Sequence, residues 1–341
     1  MEEPILEELA PARFWEPAGG LSVRCGLCPA RCLLADGGAG RCGARTNRGG
    51  VLFSRVYGHL KALNVDPIEK KPLYHVLPGT PILSVGTSGC NLTCSFCQNW
   101  SLSRAPSVPS EEAIPPSRLV RLADQHRCPT IAFTYNEPTI QAEYVMDTAA
   151  LAHRQGLKVV MVTNGYVTRE ALPELYRDVD AANVDLKSFD DAFYREHCGG
   201  TVGAVLGALE ALRGLGVFLE VTTLVIPGLN DTPEEMRREA AWIRDHLGPE
   251  TPLHLSAFHP DHRMRDRPPT PRTTLGILRE AALAEGLAFV YEGNVAGGTS
   301  TTFCPGCGRA VIDRAWFSVT RMDLTAGRCR HCGRRLPGIW E

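Results

Sequence analysis

Three thiols stand at Cys90, Cys94 and Cys97 in the segment CNLTCSFC, spaced C-x3-C-x2-C and placed directly after the apolar run PILSVGTSG. Iron–sulfur clusters are held by cysteine thiolates and normally take four of them. Three ligands close in sequence, with no fourth cysteine nearby, leave one iron of a 4Fe-4S cluster open to an outside ligand. The apolar run ahead of them reads as a β-strand, so the loop would sit at a strand's mouth.

Two more groups flank this one among the 13 cysteines of the chain. In a reducing compartment, clustered cysteines usually bind metal. Cys304-Pro-Gly-Cys307 and Cys329-Arg-His-Cys332 form C-x2-C-x21-C-x2-C, one residue beyond the usual ~15–20 spacing of a zinc ribbon. Two knuckles, each followed by glycine, suit a tetrahedral four-thiolate Zn2+, or iron of the rubredoxin kind. Four thiolates leave no open position, which favours a structural role, and a segment this short needs metal in place of a core. Near the start, Cys25, Cys28, Cys32 and Cys42 could hold zinc or an auxiliary iron–sulfur cluster feeding electrons. Spacing does not separate the two; structural zinc is the preferred expectation. Cys128 and Cys198 stand outside the groups.

The elements that must position these thiols are legible as a pattern. Apolar runs PILSVG (81–86), TIAFTY (130–135), KVVMVT (158–163), AANVDLK (181–187), VFLEVTTLVI (217–226), HLSAF (254–258) and AFVYEG (288–293) alternate with helically periodic stretches over 117–126, 140–156, 202–216, 233–247 and 272–286. Thr232, Pro233, Glu234 and Glu235 read as a cap, an N1 proline and first-turn acids, and Gly156, Gly216 and Gly286 as C-terminal caps. Such alternation predicts a parallel sheet covered on both faces, either doubly wound or a closed or partial β/α barrel. The expected organisation is a Cys-rich unit over 1–75, a core barrel over 76–300 and a zinc-ribbon or rubredoxin-like unit over 301–341.

A net charge of −2 and a pI near 6.6 give no general attraction to nucleic acid, and the Arg-rich HRMRDRPP (262–269) reads as solvated surface. The first residues carry acids where a signal peptide carries bases, and no apolar stretch approaches the ~18 residues of a membrane span. A cytoplasmic protein without a membrane partner is expected.

The central motif, with Phe96 before its last cysteine and a strand before its loop, resembles the radical S-adenosylmethionine (radical SAM) superfamily. The resemblance implies a partial (β/α)6 TIM-like barrel and a 4Fe-4S cluster whose open iron is chelated by S-adenosyl-L-methionine. It implies reductive cleavage to methionine and a 5'-deoxyadenosyl radical that takes hydrogen from a substrate. Function then belongs at the C-terminal ends of later strands. Asn136-Glu137-Pro138 matches the GGEP-like segment, which contacts the methionine amino group, and a carboxylate suits an ammonium. Thr163-Asn164-Gly165 is similar to the DTNG segment of glycyl-radical activating enzymes near the ribose, with Val162 in place of its Asp. Asp185 and Lys187 match an Asp-x-Lys whose lysine meets the cofactor's carboxylate, Val225 an adenine contact, and His259 a histidine approaching the adenosine.

The CxLCPxxC start, DHRMRDRPPTP (261–271), VYEGNV (290–295), and the ending CPGCG, CRHCG and PGIWE resemble the AmmeMemoRadiSam-system radical SAM enzymes, which are similar to pyruvate formate-lyase activating enzyme. That implies Memo-like and AMME-domain partners, an unidentified substrate and a flavodoxin- or ferredoxin-like electron donor. The competing readings are an activase that installs a glycyl radical on a partner enzyme, and a non-catalytic metal-binding scaffold. Cys198, in EHCGG just past the Lys187 strand, is a candidate to reach the barrel mouth and act on a substrate radical.

Overall fold

The computed structural model describes residues 9–106 and 112–341. Seven strands run parallel in chain order: β1 (Pro81–Gly86), β2 (Thr130–Phe133), β3 (Lys158–Thr163), β4 (Ala181–Asp185), β5 (Phe218–Val225), β6 (Leu253–Ala257) and β7 (Val290–Gly293). The strand Ala62–Pro67 adds antiparallel to the free edge of β1, so part of the segment expected in the N-terminal unit is hydrogen-bonded into the main sheet. Among the described residues no ladder joins that strand to β7, and the eight-stranded sheet is a partial (β/α)6 barrel carrying two further strands, β7 at one edge and Ala62–Pro67 at the other.

Helices α1 (Pro116–Gln125), α2 (Ala142–Arg154), α3 (Val202–Gly214), α4 (Pro233–Trp242) and α5 (Arg272–Ala284) cover the outer face. Local chemistry sets their ends. Thr232 accepts from the Glu235 amide ahead of Pro233, and Gly156, Gly216 and Gly286 take φ of 74°, 81° and 99°, where a Cβ would be strained. Leu83, Val85, Ile131, Phe133, Val159 and Met161 from the first three strands lie in one buried core with helix residues such as Leu119, Val145 and Ala149. Strands buried on both faces explain why the runs are continuously apolar.

Two small sheets precede the barrel. Trp15–Pro17, Val23–Cys25 and Leu33–Leu34 form one, and Ala10–Pro11, Val51–Ser54 and Arg45–Arg48 the other. After β7 come a three-stranded sheet (Thr302–Phe303, Ala310–Ala315, Ser318–Met322) and a two-stranded hairpin (Leu324–Thr325, Arg328–Cys329). This C-terminal unit is anchored to the barrel by buried polar contacts. Arg314 donates to the Tyr74 carbonyl at 2.7 Å and faces the Glu69 carboxylate at 3.6 Å, both side chains being fully buried. His75 meets the Pro337 carbonyl at 2.8 Å and the Tyr291 hydroxyl at 2.7 Å. No helix among the described residues is long and apolar enough to cross a membrane.

Candidate active site

At the C-terminal ends of the strands lies a cavity of about 860 Å³, and Cys90, Cys94 and Cys97 all line it. The loop that carries them is clamped from several sides. Asn136 accepts from the Thr87 amide at 3.1 Å and donates to the Thr87 hydroxyl at 3.0 Å and the Gly89 carbonyl at 2.9 Å. The Thr93 and Ser95 amides donate to the carbonyls of Cys198 and His197, each at 2.8 Å. Arg104 donates to the Leu92 carbonyl. Gly86, at the root of the loop, is required by close approach: a Cβ there would lie 2.7 Å from the Thr134 carbonyl oxygen.

Glu137 knits β2 to β3. Its buried carboxylate accepts from the Thr139 amide (2.9 Å), the Thr163 hydroxyl (2.7 Å) and the Asn164 amide (2.7 Å). Burial pushes Glu137 up from the ordinary glutamate range against these donors. Asn164 in turn donates to the Asn91 side-chain oxygen at 2.9 Å and lies 3.7 Å from the Cys90 sulfur. Asp185 and Lys187, two apart in sequence, form an ion pair of 2.9 Å, and the Lys187 ammonium sits 5.9 Å from the centre of the Phe96 ring. Burial alone would pull Lys187 down, but Asp185 and the Cys94 and Cys198 thiols outweigh it and keep the ammonium charged well above its ordinary range. The Cys94 thiol, hydrogen-bonded to Cys198 and facing Lys187, is brought down to about 7 in spite of its burial. Burial pushes Cys90 and Cys97 up.

The structure thus brings Phe96, Asn136, Glu137, Thr163, Asn164, Asp185 and Lys187 around one cavity with the three cysteines. Three expectations are corrected. Val225 is fully buried in the core and does not line the cavity; strand alternation turns Thr222 and Leu224 inward instead. His259 lies exposed beyond the end of β6, with its ring 3.0 Å from the Asn294 carbonyl, and the strand presents His254 and Ser256 to the cavity. Cys198 does not reach the mouth. It closes a π-helical turn (Tyr194–Cys198), is fully buried, and points its thiol at Cys94 from behind the loop.

Other lining residues went unnoticed in the sequence. His254 is paired with buried Glu220 at 2.6 Å, and burial of that carboxylate is outweighed by the histidine, which holds it below its ordinary range. Alternation within HLSAF would have flagged His254 and Ser256. Lys70 and Lys71 also face the cavity, both bound to Asp66 (2.9 and 2.7 Å), while Trp316 and Phe317 reach its mouth from the C-terminal unit. No sequence signal places these, because they arrive from separate elements. Val162 also lines the cavity.

The donor sets can be tested against the groups they would hold. Three thiols, and no fourth cysteine, line a cavity large enough for a cluster and an organic ligand together, as a cluster with one open iron requires. At the C-terminus, the sulfurs of Cys304, Cys307, Cys329 and Cys332 all lie within 4.8 Å of one another, with Cys304–Cys332 at 3.6 Å and Cys307–Cys329 at 3.8 Å. A tetrahedral ion with metal–sulfur bonds of ~2.3 Å spaces its sulfurs by ~3.8 Å, so a single ion fits. The Gly306 and His331 amides each donate to a knuckle sulfur, Cys304 and Cys329 respectively, at 3.4 Å. Cys25, Cys28, Cys32 and Cys42 line a separate small cavity beside Arg45, where burial pushes Cys28 up to about 12.

Comparison with known proteins agrees with this geometry. Residues 84–240, from within β1 to within α4, match the family model of the radical SAM superfamily. An uncharacterized protein of Methanocaldococcus jannaschii is 41% identical over 330 residues, covering 95% of this chain and 98% of that one. The pyruvate formate-lyase-activating enzyme of Clostridium pasteurianum is 26% identical over 162 residues, 46% of this chain and 67% of the relative. Among solved structures, a radical SAM methyltransferase from Sphaerobacter thermophilus superposes with a TM-score of 0.50 at 16% identity, covering 84% of this chain and 78% of that one, which is a likeness of fold. The chain belongs to the radical SAM superfamily of enzymes.

Proposed function

We propose that Cys90, Cys94 and Cys97 hold a 4Fe-4S cluster with one open iron, and that Phe96, Asn136, Glu137, Thr163, Asn164, Asp185 and Lys187 form the S-adenosyl-L-methionine site beside it. The observation that carries this reading is the single cavity lined by three cysteines and no fourth. When bound, these groups supply one-electron reductive cleavage of the sulfonium, from which hydrogen-atom abstraction follows. The chain's own residues bind and orient. The Lys187 ammonium, kept charged by Asp185, suits a carboxylate, and the buried Glu137 carboxylate suits an ammonium. Asn164, anchored through Asn91, sets the distance between the thiol loop and the end of β3. Phe96, Val162 and Leu224 keep water from the chamber, and Trp316 and Phe317 narrow its mouth.

The rest of the cavity is left for the substrate, and a flavodoxin- or ferredoxin-like donor would deliver the electron. The terminal motifs that resemble AmmeMemoRadiSam-system enzymes support Memo-like and AMME-domain proteins as partners. A second reading, a glycyl-radical-enzyme activase, is favoured by the Clostridium pasteurianum relative; it requires a glycyl-radical electron-spin signal on a partner enzyme after incubation with this one. The C-terminal four-cysteine group is proposed to hold structural zinc. The test is anaerobic: protein reconstituted with iron and sulfide, reduced with dithionite and given S-adenosylmethionine should release 5'-deoxyadenosine, and a Cys94→Ala variant should not. Equal release by that variant would sink the assignment.

A further inference from the structure

We infer that Cys25, Cys28, Cys32 and Cys42 bind a second iron–sulfur cluster, not a single zinc ion. All four cysteines line one small cavity of about 20 Å³, together with Arg45, Asn91 and Thr139.

The C-terminal quartet of the same molecule is the internal contrast. Its sulfurs are drawn within 4.8 Å of one another, and among the described residues the N-terminal four are not gathered to that limit. One chain therefore holds a set contracted enough for one ion and a set whose thiols stand farther apart. Four cysteines spaced more widely than one ion would draw them suit a cluster whose irons are bridged by sulfide.

The wall of the cavity points the same way. Arg45 lines it, is 1% exposed, and has one guanidinium nitrogen 4.0 Å from the Cys25 sulfur. Its other contacts are the Arg13 carbonyl at 2.7 Å and the Glu143 carboxylate, while its buried Nε–H finds no acceptor among the protein atoms. A buried donor without a partner is costly, and a cluster sulfur could accept from it. Arg45 also offsets the negative charge of four thiolates.

Position gives the site its use. Asn91, which lines this cavity, directly follows Cys90, which lines the large one, and its side-chain oxygen is 3.9 Å from the Cys90 sulfur. The Thr139 amide is bound to Glu137 of the first site while Thr139 itself lines the second. A cluster here backs onto the three-cysteine loop through one layer of residues, where a one-electron carrier could take an electron from an external reductant and hand it on, with no bond made or broken.

The experiment measures the full chain with its three-cysteine loop removed. A Cys90→Ala/Cys94→Ala/Cys97→Ala protein, reconstituted anaerobically, should retain iron and acid-labile sulfide in about equal amounts, two or four of each per chain, and show a paramagnetic signal on dithionite reduction. Sulfide identifies the cluster, because an ion in the C-terminal quartet brings none. Two zincs per chain and no sulfide would overturn the inference, as would iron without sulfide. A Cys25→Ser/Cys28→Ser protein should lose the same increment and keep the sulfide of the first site. Sulfide lost there while retained in the triple variant would instead refute the reading of the Cys90 loop.

Discussion

Glu239 offers the sharpest test of the physical reasoning, because a single hydroxyl hydrogen must serve two acceptors. The Thr223 hydroxyl lies 3.0 Å from the Leu186 carbonyl and also contacts the Glu239 carboxyl, both side chains being buried. Thr223 has one hydrogen to give, so the second bond needs a hydrogen from Glu239. Desolvation acts in that direction: burial pushes Glu239 up from 4.5 to about 8, against the Thr223 hydrogen bond and with nearby Glu235 adding to the rise. In the folded chain the group is therefore protonated near neutrality, with a hydrogen-bond relay from Glu239 through Thr223 to the Leu186 carbonyl, next to Lys187.

The sign follows from linkage. A folded-state value above the unfolded one gives stabilisation that is complete below about 4.5 and is lost as pH rises through about 8. Within that window the loss is about 1.4 kcal/mol per pH unit, or about 3 kcal/mol between pH ~5.5 and ~7.5. Glu239→Gln keeps the shape and supplies an amide donor to Thr223 at every pH. Urea denaturation of metal-loaded wild type and variant in parallel cancels the titration of the other groups. The difference between the two stabilities should move toward the variant by about 3 kcal/mol across those two units. Parallel pH profiles would refute both the protonated carboxyl and the relay.

Other consequences can be checked directly. Lys187→Met removes the charged donor proposed for the cofactor's carboxylate, and equilibrium binding of S-adenosylmethionine should weaken ~10- to 150-fold, as expected for ~1.5–3 kcal/mol of charge-assisted hydrogen bonding. Arg314→Met leaves the Glu69 carboxylate buried without its cation; a stability loss of ~3–5 kcal/mol should appear with proteolytic release of the segment after β7, and an unchanged melt would deny that the pair anchors the unit. Gly86→Ala forces the β1 end away from the Thr134 carbonyl, and should lower iron incorporation at the three-cysteine loop while hydrogen exchange in β4 to β6 stays as in wild type.

Much of the barrel was readable because strands buried on both faces must be continuously apolar, and the crossover helices carry caps that chemistry dictates. The seven runs from PILSVG to AFVYEG became the seven parallel strands. Residues close in sequence at a strand's end, or inside one loop, were also readable, as Lys187 just past the end of β4 beside Asp185 and the three cysteines show. Errors came where one residue of register decides the face. Val225 and Leu224 are equally apolar, and only the pairing of β5 tells which looks inward. His259 lies past its strand, where alternation no longer applies. Cys198 was misjudged because a π-helical turn folds its side chain back beneath the loop. Lys71, Trp316 and the Glu69–Arg314 pair depend on contacts between distant segments, which local pattern does not encode.

The anchoring of the C-terminal unit also carries an entropic cost that depends on what is already folded. His75 and Pro337, in hydrogen-bond contact, are 262 positions apart. Closing a loop of that length from an open chain costs about 5 kcal/mol of entropy by the logarithmic law, but only about 3 kcal/mol once the sheet has formed through β7 and the free segment is a few tens of residues long. Seating of residues 337–339 beside 75–77 is thus favoured after the barrel exists. The unit that brings Trp316 and Phe317 to the cavity is therefore the part whose docking gains most from a barrel already in place.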